Sequence, residues 1–259
     1  MRFTHTTAVI TGAGSGIGKA AAIRLAKEGA EVILVGRTLS KLEASADEIN
    51  SLLNRKAASV FQADVTNEKS VQELALFVDS NFGDLHILIN NAGGSAQSRI
   101  LDTPETEWNE VQNVNLKSVF LVSKELGKIM AAGVKHEVLE RKNRSIVNVA
   151  SLSGHQAGAH IPHYSSAKAG VINFTKSLAL EMAAFGIRVN SVSPGFVETP
   201  LTEDGLQNEK FAAAIARNTA LGRVGKADEI ANIIAFAASP EASYMTGTDI
   251  LADGGWLIK

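Results

Sequence analysis

Short, continuous runs of apolar residues recur along the chain. Each is followed by a longer stretch in which apolar positions repeat every three to four residues. The runs are Thr7–Ile10, Val32–Val35, Ala58–Phe61, Leu85–Ile89, Ser145–Val149, Ile187–Val192 and Thr248–Leu251. They lack the apolar–polar alternation of a half-wet sheet, so they predict strands buried on both faces. The periodic stretches predict helices over Ile17–Glu28, Leu39–Leu53, Asn67–Phe77, Glu105–Ala132, Ile161–Ala184 and Lys226–Ala238. Gly29 suits the position just past the first helix, and Asn67 suits the N-cap of the third. Strand–helix alternation of this kind predicts an α/β fold with a doubly wound parallel sheet of about seven strands and helices on both faces. No repeat, low-complexity tract or linker interrupts it, so residues 1–259 are expected to form a single domain.

Two segments break the rhythm. Gly133–Arg144 is polar and holds Lys135, His136, Arg141, Lys142 and Arg144 against Glu137 and Glu140. Its expected form is a solvated surface loop. Pro194–Gln207 contains Pro194, Gly195, Pro200 and Gly205. A long loop there, at the carboxyl edge of the sheet, is a candidate substrate lid.

Composition narrows the function classes. The chain has 259 residues, 45% hydrophobic and 20% charged, with a net charge of −2. It can bury a substantial core, and it has no basic footprint for nucleic acid. No apolar run approaches the ~18 residues that span a bilayer, so no membrane partner is expected. The chain has no cysteine, which excludes disulfides, thiolate nucleophiles and zinc–cysteine sites. Met1–Thr7 shows no apolar leader segment, and a cytoplasmic location is the expectation.

Candidate chemistry appears directly after the first strand. Thr11-Gly12-Ala13-Gly14-Ser15-Gly16-Ile17-Gly18 opens the first helix. Glycines let the chain turn tightly and bring backbone N–H groups close to a pyrophosphate, whose charge the helix N-terminus favours. The second strand ends Val35-Gly36-Arg37-Thr38, with no acid to hold ribose hydroxyls. Gly36 leaves room, and Arg37 can pair with a 2′-phosphate through its planar fork. NADP is therefore expected over NAD.

A second centre lies at Tyr164-Ser165-Ser166-Ala167-Lys168, with Ser151 upstream. A lysine at i+4 sits on the same helix face as the tyrosine. Its ammonium favours phenolate and is expected to lower the phenol pKa from ~10. Reaching pH 7 needs ~4 kcal/mol, and one ammonium at ~5 Å supplies roughly 3 kcal/mol at an effective dielectric of 20. That would make Tyr164 a usable general acid or base.

Over nearly its whole length the chain resembles the short-chain dehydrogenase/reductase family, single-domain Rossmann-type oxidoreductases. The turn with Gly12, Gly16 and Gly18 is similar to that family's coenzyme turn, Asp64 to its adenine-contacting aspartate, and Asn90-Asn91-Ala92-Gly93 to its motif after the fourth strand. Asn115, Ser151, Tyr164 and Lys168 fall where its catalytic four do, and Pro194-Gly195 and Thr199 match its nicotinamide-side loop. The resemblance implies hydride transfer between a nicotinamide cofactor and a carbonyl or secondary alcohol. Tyr164 would be the general acid/base, Ser151 would hold the substrate oxygen, Lys168 would reach the ribose of the nicotinamide half, and Asn115 would hold a relay water. The implied cofactor contacts are Gly12, Ser15, Gly16, Ile17, Gly18, Arg37, Thr38, Asp64, Val65, Asn91, Ala92, Gly93, Tyr164, Lys168, Pro194, Gly195, Val197 and Thr199. The resemblance also implies a homotetramer.

The substrate stays open between a 3-oxoacyl thioester on a carrier protein and a small polyol, sugar acid or cyclic alcohol. Carrier-linked ketoreductases of this family often have a basic residue just before Gly186-Ile187, where this chain has Phe185; the basic cluster after Gly133 counts the other way. The alternative from another class is a catalytically silent nicotinamide-binding sensor or scaffold. His155, His160 and His163 lie between Ser151 and Tyr164. No carboxylate or cysteine joins them at a ligand spacing, so no metal is expected and they are read as lining the pocket or facing water.

Overall fold

The computed structural model describes residues 1–134 and 142–259. Strand β1 (Thr7–Thr11) leads through the glycine turn into α1 (Gly16–Lys27), followed by β2 (Glu31–Gly36), α2 (Leu39–Leu53), β3 (Ala58–Gln62), α3 (Glu68–Phe82) and β4 (Ile87–Asn90). Then come α4 (Glu105–Gln112), α5 (Ser118–Val134), β5 (Ser145–Val149), α6 (Pro162–Met182) and β6 (Arg188–Pro194). The chain finishes with β7 (Val197–Glu198), α7 (Glu203–Leu206), α8 (Glu209–Asn218), β8 (Gly225–Lys226), α9 (Ala227–Ala238) and β9 (Asp249–Ala252). The main sheet has seven strands, all parallel, in the order β3-β2-β1-β4-β5-β6-β9. Strand order reverses between β1 and β4, which opens a crevice at their carboxyl ends, where open α/β sheets bind ligands.

Successive strand residues serve opposite faces of the sheet. Ala8, Ile10, Val32, Leu34 and Ile87 pack against α1, α2 and α9 through Leu25, Leu42, Ile49, Ile230 and Ile234. Val9, Ile33, Leu88, Ile146 and Val189 face the other way, against Leu74 and Val78 of α3, Leu126 and Met130 of α5, and Ala179 of α6. Because helices cover both faces, the strands read as continuous apolar runs. Among the described residues, no helix is long and apolar enough to cross a membrane.

Several expected boundaries move. Helix α3 runs past Phe77 to Phe82 and stops at Gly83, whose φ of 67° ends it in the left-handed region. The expected helix Glu105–Ala132 is not one α-helix. Asn113–Lys117 forms a π-turn between α4 and α5, and the Ser118 N–H reaches back five residues to Asn113 O. The expected lid loop Pro194–Gln207 contains β7, paired with β8, and the short α7. Helix α8, absent from the sequence-based expectation, follows it; the Asn208 side chain caps it by accepting the Lys210 and Phe211 N–H groups.

Arg144 corrects the expectation of a solvated loop at its end of Gly133–Arg144. Its guanidinium is buried, donates to both carboxylate oxygens of Asp84 at 2.6 and 2.8 Å, and donates to Leu85 O at 2.6 Å. A charge taken out of water needs such a partner, and Asp84 at the foot of β4 supplies it. The rest of the basic cluster, Lys135, His136 and Arg141 with Glu137 and Glu140, lies outside the described residues; Lys142 is exposed.

Candidate active site

At the crevice, the glycine turn is held by the segment after β4. The Asn91 side-chain amide donates to Thr11 O at 3.0 Å and Gly12 O at 3.3 Å. In return the Thr11 hydroxyl accepts the N–H groups of Asn91 and Ala92, both at 3.0 Å. Gly12 has φ +66°, and a Cβ on Gly18 would stand 2.4 Å from both Asn91 Nδ2 and Gly12 O. No larger residue fits at either position. A Cβ on Gly16 would meet Thr199 at 3.3 Å, so the turn also touches the loop after β6. Ser15 is the N-cap of α1 in extended conformation, and its hydroxyl caps nothing. Ile17 sits in the first turn of α1 against the core.

A cavity of about 700 Å³ opens beside this turn. Among its walls are Gly12, Ser15, Arg37, Thr38, Asp64, Val65, Ala92 and Gly93, eight of the residues expected to bind cofactor. Lys41 of α2 joins Arg37 there as a second cation. The Asp64 carboxylate accepts the Thr66 N–H at 2.9 Å and the Thr66 hydroxyl at 2.7 Å. Those bonds, the backbone one foremost, hold its pKa below the usual carboxylate range, and Arg37 adds to the effect. The cradle without Cβ atoms, the exposed helix N-terminus and the flanking cations fit a dinucleotide phosphate. Pro194, Gly195, Val197 and Thr199 are not in this wall. Pro194 ends β6, the Gly195 N–H donates to Ala252 O, Val197 is buried in β7, and Thr199 approaches from the glycine-turn side.

Gly93 connects the cavity to the second centre. A Cβ there would lie 2.9 Å from Asn115 Oδ1 and 3.6 Å from Lys168 Nζ. Asn115 is fully buried in the π-turn, and its amide donates to Gly94 O at 2.7 Å and Val111 O at 2.8 Å. π-turns of this kind are concentrated at functional sites. Lys168 is buried on α6 and donates to Val149 O at 2.8 Å. Burial lowers its pKa from 10.5 to about 8. Its Nζ lies 5.6 Å from the centre of the Tyr164 ring. Ser151 follows β5, accepts the Ser153 N–H at 3.1 Å, and stands close enough to the Tyr164 phenol to favour its ionised form.

The expected acidification of Tyr164 by Lys168 is not found. Burial pushes the phenol pKa up, and the group that pulls it back is Ser151. A dry cleft penalises phenolate just as it penalises the ammonium beside it.

The three histidines diverge. His155 pairs with Asp249 at 2.8 Å, and His163 is fully buried and contacts Glu107 at 3.1 Å. His160 has φ +65°, and its carbonyl accepts the Ser98 N–H. The expectation that His163 lines the pocket or faces water is thus corrected. Sequence reasoning also missed Lys41, the locking role of Thr11, and an amide chain below the site. In that chain Asn90 donates to Asn148 at 2.8 Å, and Asn148 donates to Thr175 at 2.9 Å, tying β4 to β5 and α6. Lys41, one turn beyond Arg37, was the legible signal among these.

A family model described as Enoyl-(Acyl carrier protein) reductase matches residues 12–257. The chain is 38% identical over 255 residues to the 3-oxoacyl-[acyl-carrier-protein] reductase FabG of Vibrio cholerae serotype O1, covering 98% of each chain. It is 38% identical over 258 residues to the FabG of Thermotoga maritima, covering 100% of each. The crystal structure of levodione reductase superposes with a TM-score of 0.91 at 32% identity, covering 98% of both chains.

Proposed function

This chain belongs to the short-chain dehydrogenase/reductase family, and from that premise we propose that it is an NADP-dependent enzyme that works through Tyr164 and reduces 3-oxoacyl thioesters. Family membership makes it an oxidoreductase acting on CH–OH or carbonyl groups. The finer reading rests on one observation: Asn115, Ser151, Tyr164 and Lys168 converge beside Gly93, the residue that borders the dinucleotide cavity.

Gly12, Ser15, Gly16 and Gly18 would hold the pyrophosphate, with Asp64 and Val65 beside the adenine. Arg37 and Lys41 favour a 2′-phosphate, and no carboxylate stands at positions 36–37 to favour NAD. When bound, the nicotinamide supplies the hydride donor or acceptor. Tyr164 gives a proton to the carbonyl oxygen in reduction and takes one from the alcohol in oxidation. Ser151 hydrogen-bonds the same oxygen and fixes it against the phenol. Lys168, with a pKa of about 8, is mainly protonated at neutral pH yet titrates close enough to it to pass a proton. Asn115 holds the water that connects Lys168 to solvent.

A small polyol, sugar acid or cyclic alcohol is the second reading. It is favoured by Phe185, which is 37% exposed where a carrier-docking cation would serve. A homotetramer is supported by exposed apolar groups on the outer helices, where Phe120 of α5 meets Phe174 of α6 edge-on at 6.4 Å. The cysteine-free composition is compatible with a cytoplasmic setting.

The test is a spectrophotometric panel of 3-oxoacyl thioesters, cyclic ketones and polyols, run with NADPH, NADH and their oxidised forms. Turnover fastest with a 3-oxoacyl thioester and NADPH, and abolished in Tyr164→Phe, is the expected result. NADPH binding without turnover of any panel member would move the protein to the sensor or scaffold class.

A further inference from the structure

Helix α6 begins without a conventional cap. Its N-cap is Ile161, which has no side-chain acceptor, and Pro162 has no N–H. The next donors, on His163 and Tyr164, fall among those that an α-helix leaves unsatisfied. The Tyr164 N–H is taken by the imidazole of the preceding residue: His163 Nδ1 accepts it at 2.9 Å. That bond fixes the tautomer, so Nε2 carries the proton and donates to Glu107 Oε1 at 3.1 Å. Glu107 also accepts the Ser98 hydroxyl at 2.5 Å, and the Ser98 hydroxyl lies 2.7 Å from that of Thr103. Gln112, one turn beyond on α4, donates to His163 O at 2.9 Å and to the Ser166 hydroxyl at 3.0 Å. The imidazole is fully buried, with the Trp108 ring 6.4 Å away. Both ring nitrogens and the carbonyl of His163 are therefore engaged, and α4 supplies the partners of Nε2, through Glu107, and of the carbonyl, through Gln112.

We propose that the His163–Glu107 pair positions Tyr164 for proton transfer, by clamping the first turn of α6 to α4 through the tyrosine's own backbone N–H. His163 does not line the cavity, which Glu107 borders, and it acts through Tyr164. The inference rests on Tyr164 being the acid/base. Its physical basis is the narrow tolerance of proton transfer: a shift of about 1 Å in a reacting group can cost on the order of 100-fold in rate. Ser151 lowers the pKa of the phenol, and the backbone N–H of Tyr164 is anchored by the imidazole at 2.9 Å.

The chain has two tyrosines, and Tyr244 is fully exposed, so a Tyr244→Phe background lets tyrosinate absorbance report Tyr164 alone. In that background His163→Phe keeps a ring but loses both bonds. It is expected to lower kcat about 10-fold or more per folded site, with NADPH affinity within about twofold. The Tyr164 titration midpoint should rise as the Ser151 contact is lost. Glu107→Leu should act in the same direction, and Glu107→Gln, which keeps an acceptor for Nε2–H, should stay within about threefold of the parent. If His163→Phe does not fold, the Glu107 pair carries the test by the same readouts. A parental kcat per folded site, or a midpoint that stays or falls, would overturn the proposal. If Tyr164→Phe itself retains turnover, the acid/base assignment fails instead, and the two failures are told apart.

Discussion

Lys168→Met exchanges a buried ammonium for an apolar chain of similar length, and its effect on stability should depend on pH in a calculable way. Folding lowers the pKa of Lys168 from 10.5 to about 8. A lysine with a depressed pKa destabilises the fold wherever its unfolded form is protonated. Below pH 8 both forms hold the proton, and the cost is constant. Between pH 8 and 10.5 the unfolded chain binds more protons, so stability rises with pH. With these values the cost is about 3 kcal/mol at pH 7 and about 1 kcal/mol at pH 10. The gain of wild type on Lys168→Met across that interval is therefore about 2 kcal/mol. The lost bond to Val149 O offsets part of the variant's advantage at pH 7, by roughly 1.5–3 kcal/mol, and any change in it as Lys168 deprotonates is already contained in the folded-state pKa. The difference in slope is thus the informative quantity. Urea unfolding followed by circular dichroism, without cofactor, at half-unit steps from pH 7 to 10 measures it. Other titrating groups cancel between the two proteins. Parallel pH profiles would refute the argument, since Lys168 would then titrate alike folded and unfolded. Turnover should be lost in the variant at every pH, whatever its stability.

Other outcomes follow from the same geometry. Arg37→Ala should weaken NADPH binding by about 10-fold or more and leave NADH nearly unaffected, measured by fluorescence titration; a parallel loss for both cofactors would remove Arg37 from the 2′-phosphate. Gly18→Ala places a Cβ 2.4 Å from Gly12 O and Asn91 Nδ2, and should lower Tm by several degrees and abolish cofactor binding; a variant that melts and binds like wild type would refute the packed turn. Arg188→Met removes a buried guanidinium whose acceptors include Ala237 O, Ala238 O and Ser239 O at the end of α9, and should cost about 3 kcal/mol or more in urea unfolding. Light scattering at micromolar concentration should give a tetramer, and a monomer would leave the Phe120–Phe174 edge contact as surface packing.

What could be read from the sequence was local. The glycine turn, the Tyr164–Lys168 spacing and the strand runs each depend on residues a few positions apart, so order and type suffice. The features that were not legible depend on contacts between distant residues. Arg144 looks like part of a charged loop until Asp84 is placed 60 positions away. His163 looks like one of three loop histidines until α4 brings Glu107 to it. The π-turn at Asn113–Lys117 leaves no clear periodic signal, because its five residues are fewer than the window over which apolar periodicity is read. Helix α8 hid because it is short and lies beyond a Pro- and Gly-rich stretch.

The Tyr164–Lys168 pair shows most clearly why spacing alone falls short. An effective dielectric of 20 assigns the ammonium a pull of roughly 3 kcal/mol on a phenolate ~5 Å away, enough by itself to bring the phenol close to neutrality. That arithmetic leaves out where both groups sit. Lys168 Nζ lies 5.6 Å from the centre of the Tyr164 ring, so the two groups are neighbours as the spacing implies, and their environment is what the arithmetic omits. The cleft desolvates Lys168 until its pKa falls to about 8, and it raises that of Tyr164. Lys168 is still mainly charged at pH 7 but loses its charge just above it, whereas Ser151, which does not titrate, is the group that pulls the phenol pKa down. Under the proposed function Ser151 would therefore have two duties, holding the substrate oxygen and lowering the phenol pKa. Ser151→Ala should accordingly raise the Tyr164 titration midpoint as well as lower kcat. A variant whose kcat falls while the midpoint stays would leave Ser151 as a substrate contact only.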